Sequence, residues 1–358
     1  MARNKEALKS DRIVMRESDL WPSLRGYWHP VAFSEEVGER PISVSILEER
    51  VAVCRLGGEV KAFHDLCIHR GTPLSLGWVE GETIVCAYHG WAYNQEGKCV
   101  RIPSIPPGHP IPKKACLTRY LAQERYGIVW VCLAEEPRAT LPELTEVEDT
   151  SFRIFFRQKK TWDCTAARAI ENFTDLAHFP WVHEGILGDR SEPIPPEVKM
   201  KRDGEVLRYS VDYPSSSIHQ ISHSLNYRLT RPFCIVQRRE MPGDETQVFF
   251  FVCKPDSAGQ TTRFFMVARN FDFDTPEIVH GPFTMINEDI RSADGTQDGV
   301  LPDPARIANL IGEQDRPIVE RQRPEELPLD LTEELHLKGP DAIAVEYRRF
   351  MKELGVDC

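Results

Sequence analysis

The sequence reads CIHRG at residues 67–71 and CAYHGW at residues 86–91. Each stretch places a histidine two or three positions after a cysteine and has a glycine close behind the histidine. Thiolates and neutral imidazoles are both metal ligands, and glycine allows the tight loop that brings such a pair onto one ion. The two loops therefore predict a single metal centre, with Cys67, His69, Cys86 and His89 as its ligands.

Two kinds of centre compete for these four ligands. Two cysteines and two histidines suit a tetrahedral structural zinc site. The same set suits a Rieske [2Fe–2S] cluster, in which histidines replace two cysteines on one of the two irons. Zinc sites usually group cysteine with cysteine and histidine with histidine. Here each pair runs Cys then His, so the order favours the [2Fe–2S] cluster.

Composition limits the other possibilities. The 358 residues suggest two domains or one large one, and the net charge of −11 comes without a long basic run, which argues against nucleic acid as a partner. The N-terminal residues have no signal-peptide pattern, and the most apolar stretch, residues 128–134, is too short to cross a membrane. Ten cysteines without an export signal predict free thiols in a reducing cytoplasm.

The chain divides into two regions of different pattern. Residues 28–137 read as short strands separated by turns, with a loop at residues 103–113 that contains five prolines. The later region predicts an antiparallel sheet and three helices. Its expected elements are a helix from Asp163 through His178 that ends near Pro180, a sheet from Val206 to Phe271, and late helices at Arg306–Gln322 and Asp341–Leu354. The predicted class is α+β, with a β domain at 28–137 and a second domain at 150–358 on which residues 1–27 pack.

A second metal site is indicated by the sequence ENFTDLAHFPWVH at residues 171–183. A histidine pair such as His178 and His183 is more often structural when it stands alone. Asp175, however, lies one helical turn before His178, and an iron–sulfur motif precedes the pair. The pair then becomes part of a 2-His-1-carboxylate iron site, which leaves positions open for O₂. The missing carboxylate is expected from a distant segment that carries Glu313 and Asp315, although that segment alone reads as a surface helix.

The whole chain resembles the α subunits of the Rieske non-haem iron aromatic-ring-hydroxylating oxygenases. Within that family it is most similar to monooxygenases and demethylases such as the caffeine N-demethylases and the saxitoxin-pathway hydroxylases. The resemblance implies that Cys67, His69, Cys86 and His89 bind the cluster and that His178 and His183 bind Fe(II). The family pattern Asp-x-x-[Ile/Val]-[Ile/Val]-x-x-Gln places the third iron ligand at Asp315.

Many relatives have Glu directly before that aspartate, whereas this chain has Gln314, so Glu313 remains the alternative ligand. The resemblance also assigns Asp175 as a bridge between His178 and the cluster histidine of a neighbouring subunit. It implies an N-terminal Rieske β domain, and then a catalytic domain with a curved antiparallel sheet covered by helices. A homotrimer is implied as well.

The expected activity is O₂-dependent monooxygenation of a small cyclic or aromatic substrate, as hydroxylation or as oxidative N- or O-demethylation. Electrons come from NAD(P)H through a separate reductase, with or without a ferredoxin between them. The alternatives are a cis-dihydroxylating arene dioxygenase, a Rieske electron carrier without its own catalysis, and a scaffold with structural zinc. Phe233, Phe251 and the loop from Met285 to Pro304 are expected to line the substrate pocket.

Overall fold

The computed structural model describes residues 14–355 except 39, 214–222, 241–242, 272 and 274–303. The expected pocket loop from Met285 to Pro304 lies outside the described residues, apart from Pro304, which begins a helix. Within the described ranges, no helix is both long and apolar enough to span a bilayer.

Among the described residues of 14–132 there are ten strands, which begin at His29 as the pattern at 28–137 predicts, and one short α-helix before them that the pattern did not predict. Six strands form an antiparallel sheet in the order β1-β10-β9-β4-β3-β2, and the others form a second sheet in the order β5-β6-β7-β8. The elements are α1 (Trp21–Leu24), β1 (His29–Phe33), β2 (Ile42–Ile46), β3 (Glu49–Leu56), β4 (Glu59–His64), β5 (Trp78–Glu80), β6 (Thr83–Val85), β7 (Ala92–Tyr93), β8 (Cys99–Arg101), β9 (Arg119–Arg125) and β10 (Ile128–Cys132).

The two cysteine–histidine loops lie at ends of these strands. Residues 67–71 follow β4, and residues 86–91 connect β6 to β7. The proline-containing stretch at 103–113 forms no helix or strand, as expected, because proline lacks the N–H that a helix or an inner strand needs. The strands of these sheets therefore hold the two cysteine–histidine loops in place.

The later residues form a seven-stranded antiparallel sheet with helices on it. The strand order is β11-β17-β16-β15-β14-β13-β12, which confirms the predicted sheet. Its elements, with the helices in chain order, are α2 (Thr145–Glu148), β11 (Arg153–Trp162), α3 (Ala166–Thr174), α4 (Phe179–Val182), β12 (Lys199–Asp203), β13 (Val206–Tyr213), β14 (His223–Thr230), β15 (Cys234–Glu240), β16 (Thr246–Ser257), β17 (Gln260–Arg269), α5 (Pro304–Val319) and α6 (Ala342–Lys352).

Apolar side chains of α3 and α6 hold these helices in a common core with the sheet. Phe173 near the end of α3 stacks on Phe251 of β16, with ring centroids 4.5 Å apart. In α6, the residues Ile343, Tyr347, Phe350 and Met351 are buried, as their helical spacing predicts. This packing fixes the segment that follows α3, where the candidate iron ligands begin.

The N-terminal residues 14–24 also pack against this region. Glu17 accepts a hydrogen bond of 2.8 Å from the backbone N–H of Ala167 in the first turn of α3, and Ser23 donates one of 2.6 Å to the carbonyl of Leu354. Burial raises the pKa of Glu17 to about 7. The segment therefore caps and covers the start of α3.

The predicted helix from Asp163 through His178 is wrong in its extent. The helix starts after Thr165, whose hydroxyl accepts a hydrogen bond from the N–H of Arg168, and it ends at Thr174. Asp175 has an extended backbone, and its Oδ1 accepts a 2.8 Å hydrogen bond from the N–H of Ala177. Aspartate side chains compete in this way with helical hydrogen bonds and favour turns. His178 consequently lies in a turn, and Pro180 lies inside the short helix α4 rather than ending a longer one.

Candidate metal centres

The two cysteine–histidine loops have the same backbone design. In each, the cysteine N–H donates to a carbonyl five residues later, and a glycine N–H donates back to the cysteine carbonyl. Both glycines have φ of +70°, a conformation that favours glycine. The hydrogen bonds are Cys67 to Thr72 (2.8 Å) and Gly71 to Cys67 (2.9 Å) in the first loop, and Cys86 to Trp91 (2.9 Å) and Gly90 to Cys86 (3.0 Å) in the second.

The four side chains of these loops converge. Cys67 and Cys86 are both buried, and their thiols interact with each other. The rings of His69 and His89 lie 4.5 Å apart between centroids. The Nδ1 atom of His69 is buried and has no hydrogen-bond partner among the described residues, as expected of an atom that binds a metal. These residues fit a [2Fe–2S] cluster of the Rieske type.

Polar and aromatic neighbours hold the first loop in place. The carboxylate of Asp65 accepts hydrogen bonds of 2.8 and 2.7 Å from the N–H and the hydroxyl of Ser75, and one of 2.8 Å from the Ser43 hydroxyl. The indole ring of Trp91 stacks on His69 at 4.5 Å. The sequence motif contains Trp91 but gives no sign of Asp65, because its partners come from separate strands and turns.

The hydroxyl of Tyr93 lies 3.1 Å from the sulfur of Cys67. Burial and the nearby Cys67 thiol raise the pKa of Tyr93, so its hydroxyl keeps its proton and can donate to a thiolate. Hydrogen bonds to cluster sulfurs are one of the factors that set the reduction potential.

We expect Tyr93→Phe to retain the cluster but to lower its midpoint potential, because the reduced, more negative cluster gains more from a donor at sulfur. Spectroelectrochemical titration measures this. Tyr120→Phe is the control, since the hydroxyl of Tyr120 contacts Glu49 instead. Equal potentials in the Tyr93→Phe variant and the unaltered protein would contradict the role given to this hydroxyl.

The second group of ligand-type side chains consists of His178, His183 and Asp315. Oδ1 of Asp315 lies 3.0 Å from Nε2 of His183 and 3.5 Å from Nε2 of His178. All three candidate ligand atoms lie within 4.8 Å of one another. His183 Nε2 and Asp315 Oδ1 are buried, and despite their short separation they lack the geometry of a hydrogen bond. Two imidazoles and one carboxylate arranged in this way fit a 2-His-1-carboxylate iron site.

Glu313 does not join this group. Its carboxylate pairs with the ammonium of Lys160 at 2.5 Å, and that partner lowers the pKa of Glu313. The side chain of Glu313 is largely exposed, whereas Asp315 is buried on the other side of α5. The helix geometry thus separates two acids that the sequence alone leaves as alternatives.

Each histidine is held through the ring nitrogen that faces away from Asp315. Nδ1 of His178 lies 3.1 Å from Oδ2 of Asp175, and Nδ1 of His183 lies 2.9 Å from Oε1 of Gln314. An oxygen acceptor at Nδ1 places the proton there and leaves the Nε2 lone pair for a metal. Gln314 has this place beside His183 because it directly precedes Asp315 on α5. In the sequence, Gln314 is only a departure from the family pattern, and no local pattern indicates its contact with His183.

We expect Gln314→Leu to weaken binding of the mononuclear iron by about 10- to 100-fold, because His183 then loses the acceptor that orients it. Iron-binding titration of protein that already contains the cluster measures the effect, and the visible spectrum of the cluster should stay unchanged. Gln322→Leu, beyond the end of α5, is the control. Unaltered iron affinity in Gln314→Leu would show that the contact does not orient His183.

The two predicted pocket residues lie in different places. Phe251 contacts Phe173 of α3, two residues before Asp175. Phe233 is instead buried around a small cavity of about 20 Å³ with Tyr27 and Trp130, where the first and second halves of the chain meet. Of the two residues, only Phe251 contacts α3, the helix that precedes the histidine segment, within the described part of the chain.

Comparisons with known proteins identify two domain families in the chain. The family of the Rieske [2Fe-2S] domain matches residues 27–120, and the vanillate O-demethylase oxygenase C-terminal domain matches residues 162–302. Methylxanthine N1-demethylase from Pseudomonas putida is 31% identical, over 92% of this chain and 89% of that protein. Methylxanthine N3-demethylase from the same organism is 28% identical, over 94% and 90%.

Solved structures show the same likeness. The structure of the N1-demethylase with caffeine has a TM-score of 0.79 and 30% identity, covering 94% of this chain and 93% of that one. Dicamba monooxygenase, at 20% identity and a TM-score of 0.71, shares the fold. The chain therefore belongs to the Rieske non-haem iron oxygenases, as an α-subunit oxidoreductase whose cofactors are a [2Fe–2S] cluster and a mononuclear iron.

Proposed function

We propose that this terminal oxygenase removes a methyl group oxidatively from nitrogen, or from oxygen, of a small heterocyclic or aromatic substrate. The similarity to two methylxanthine demethylases over more than nine tenths of the chain carries this proposal. Hydroxylation of such a methyl carbon gives a product that releases formaldehyde. Hydroxylation of a C–H bond elsewhere on the substrate is the same monooxygenation without that release.

In this proposal Cys67, His69, Cys86 and His89 hold the cluster, in a domain at residues 28–137. His178, His183 and Asp315 hold the iron in a catalytic domain at 150–358, on which the N-terminal residues pack. The buried, unpartnered ligand atoms and the 3.0–3.5 Å approach of Asp315 to both histidines support this assignment. Iron held by three protein ligands supplies activation of O₂ at its remaining positions.

The protein's own groups then have defined tasks. Asp175 and Gln314 keep the proton on Nδ1 of the two histidines, so that Nε2 of each ring stays a ligand. Phe173 and Phe251 give the adjoining wall an apolar surface, which excludes water from the substrate. Tyr93 donates a hydrogen bond to Cys67 at the cluster.

We propose further that the active form is a homotrimer in which the cluster of one subunit serves the iron of the next. His89 is exposed at the tip of its loop, beside the exposed apolar residues Ile68 and Tyr88, the latter 64% exposed. Near the iron triad, Trp181 is 57% exposed. The carboxylate of Asp175 is 36% exposed, so it can accept a hydrogen bond from a neighbour's histidine. Apolar surface around a polar contact is typical of subunit interfaces.

Electrons are proposed to come from NAD(P)H through a separate reductase, directly or through a ferredoxin. The reducing cytoplasm is the proposed location. The nine described cysteines, all without disulfides, support it.

Product analysis tests the proposed reaction. The holoenzyme is combined with a Rieske-oxygenase reductase, NADH and O₂, and is offered N-methylated heterocycles and methoxyarenes. The expected result is formaldehyde in a one-to-one ratio with the demethylated product. A cis-diol without formaldehyde would replace the proposal with arene dihydroxylation. Reduction of the cluster with no oxygenated product from any substrate would favour an electron carrier.

A further inference from the structure

The seven-stranded sheet has one face that packs against α3, through Phe251 and Phe173, and we call it the inner face. One end of this face carries buried polar side chains. Arg269 of β17, Gln247 of β16 and Arg239 of β15 stand directly opposite one another across three adjacent strands. All three are almost completely buried. Farther along the same face, Phe251 and Ile235 are apolar and belong to the main core, whereas Gln237 and Arg263 are further polar side chains. The row therefore groups three buried polar side chains at one end of a face that also carries apolar ones.

Gln247 stands out within this row. Its side chain is fully buried, and neither Oε1 nor Nε2 has a hydrogen-bond partner in the part of the chain that the structure describes. By contrast, Gln237 on the next row donates a 2.7 Å hydrogen bond to the hydroxyl of Tyr227. Burying an unpartnered amide destabilises a protein, and nearly all buried polar groups have partners. No partner for Gln247 lies among the described residues, so a bound molecule is one source of the missing hydrogen bonds.

The neighbours of Gln247 on β16 connect it with the segment that carries the iron ligands. Phe249 follows two residues along β16, on the same face and about 7 Å away. Phe249 packs against Ile186, whose N–H donates a 2.9 Å hydrogen bond to the carbonyl of His183. Phe249 and Ile186 therefore link the position of Gln247 to the segment that carries His183.

The unpartnered atoms of Gln247 define which chemical groups a bound ligand needs at this position. A glutamine amide offers N–H donors and one carbonyl acceptor, and in Gln247 neither group has a partner among the described residues. The complementary edge has an acceptor beside a donor, as in the C=O and N–H of a lactam. A carboxylate would satisfy only the donor half. The positive charges of Arg239 and Arg269 on either side favour an electron-rich oxygen at this point.

We propose that Gln247 binds the lactam edge of a planar heterocyclic substrate and so orients the ring toward the iron site. This inference rests on the proposed function, because it takes this face of the sheet as the substrate side. It goes further in naming the edge by which the substrate is held.

The first test measures the stability of the holoenzyme without substrate. Gln247→Leu should raise the melting temperature by about 2 °C or more, since the leucine leaves no buried polar atom unsatisfied. The matched control, Gln237→Leu, should lower it, because the Tyr227 hydroxyl loses its partner. If Gln247→Leu also lowers the melting temperature, the amide is a structural group with an ordered water as its partner, and the proposal fails.

The second test measures binding by calorimetry, without reductase or O₂. Theobromine and caffeine differ only at N1, which bears hydrogen in the first and methyl in the second; 1-methyluracil and 1,3-dimethyluracil form a smaller pair of the same kind. The N–H member of at least one pair should bind about 10-fold more tightly or better, and Gln247→Leu should lose that preference. No preference in either pair, or the same preference in the leucine variant, would overturn the proposal.

Benzoate is included as the carboxylate probe. Tighter binding of benzoate than of either lactam, lost in Gln247→Leu, would also overturn the lactam assignment and replace it with a carboxylate site. Because no turnover is measured, a failure of the demethylation assay leaves these binding results intact. Conversely, formaldehyde release with no effect of Gln247→Leu on binding would sustain the proposed function and reject this inference.

Discussion

Replacing Asp315 by alanine should empty the mononuclear iron site and reduce turnover by well over about 100-fold, while the cluster keeps its visible spectrum. The carboxylate oxygen of Asp315 lies between the two histidines, 3.0 and 3.5 Å from their Nε2 atoms. Loss of a residue that only hydrogen-bonds to a metal ligand costs up to about 100-fold in metal affinity or activity, so loss of the ligand itself should cost more. Iron content, cluster absorbance and product formation are measured on the same preparation.

Glu313→Ala is the matched control, two residues away on the same helix. Its carboxylate pairs with Lys160 at the surface. Removing a partner from such a pair changes stability by no more than about 1 kcal/mol. Iron content and turnover should stay near those of the unaltered protein. If Glu313→Ala empties the site and Asp315→Ala does not, the assignment of Asp315 is wrong.

Asp175→Asn should retain both metals but slow electron transfer from the cluster to the iron by about 100-fold or more. The two carboxylate oxygens of Asp175 have separate tasks: Oδ1 accepts from the N–H of Ala177 at 2.8 Å, and Oδ2 lies 3.1 Å from Nδ1 of His178. Asparagine has one acceptor oxygen, so it cannot serve both donors. It also lacks the charge proposed to join the two subunits. Single-turnover mixing of the reduced protein with substrate and O₂ measures the rate.

The alternative role for Asp175 is purely structural, as the residue that ends α3 and forms the turn after it. Asparagine also favours such turns, so in that case the variant should lose about 1 kcal/mol of stability or less and transfer electrons at a normal rate. Asp189→Asn is a suitable control, because Asp189 makes a similar turn with Ser191. A normal single-turnover rate in fully metallated Asp175→Asn protein would decide for the structural role.

The sequence by itself determined the cluster loops, the strands that carry them, the large antiparallel sheet and the buried face of α6. These features depend on short-range patterns: a glycine one or two residues after each histidine, alternation along strands, and helical spacing of apolar residues. The end of α3 was predicted too late, because helical spacing continues past Thr174 while the Asp175 side chain bonds to the turn instead.

Only the tertiary structure placed Asp315 beside the histidines and Glu313 beside Lys160. Only it brought Gln314 to His183 and buried the amide of Gln247 without a partner among the described residues. These facts depend on which face of α5 meets the histidine segment and on which strands lie side by side. Such contacts join residues far apart in the chain, and the free energy that selects them comes from burial of the core as a whole. Local sequence patterns therefore do not predict which of these distant residues come into contact.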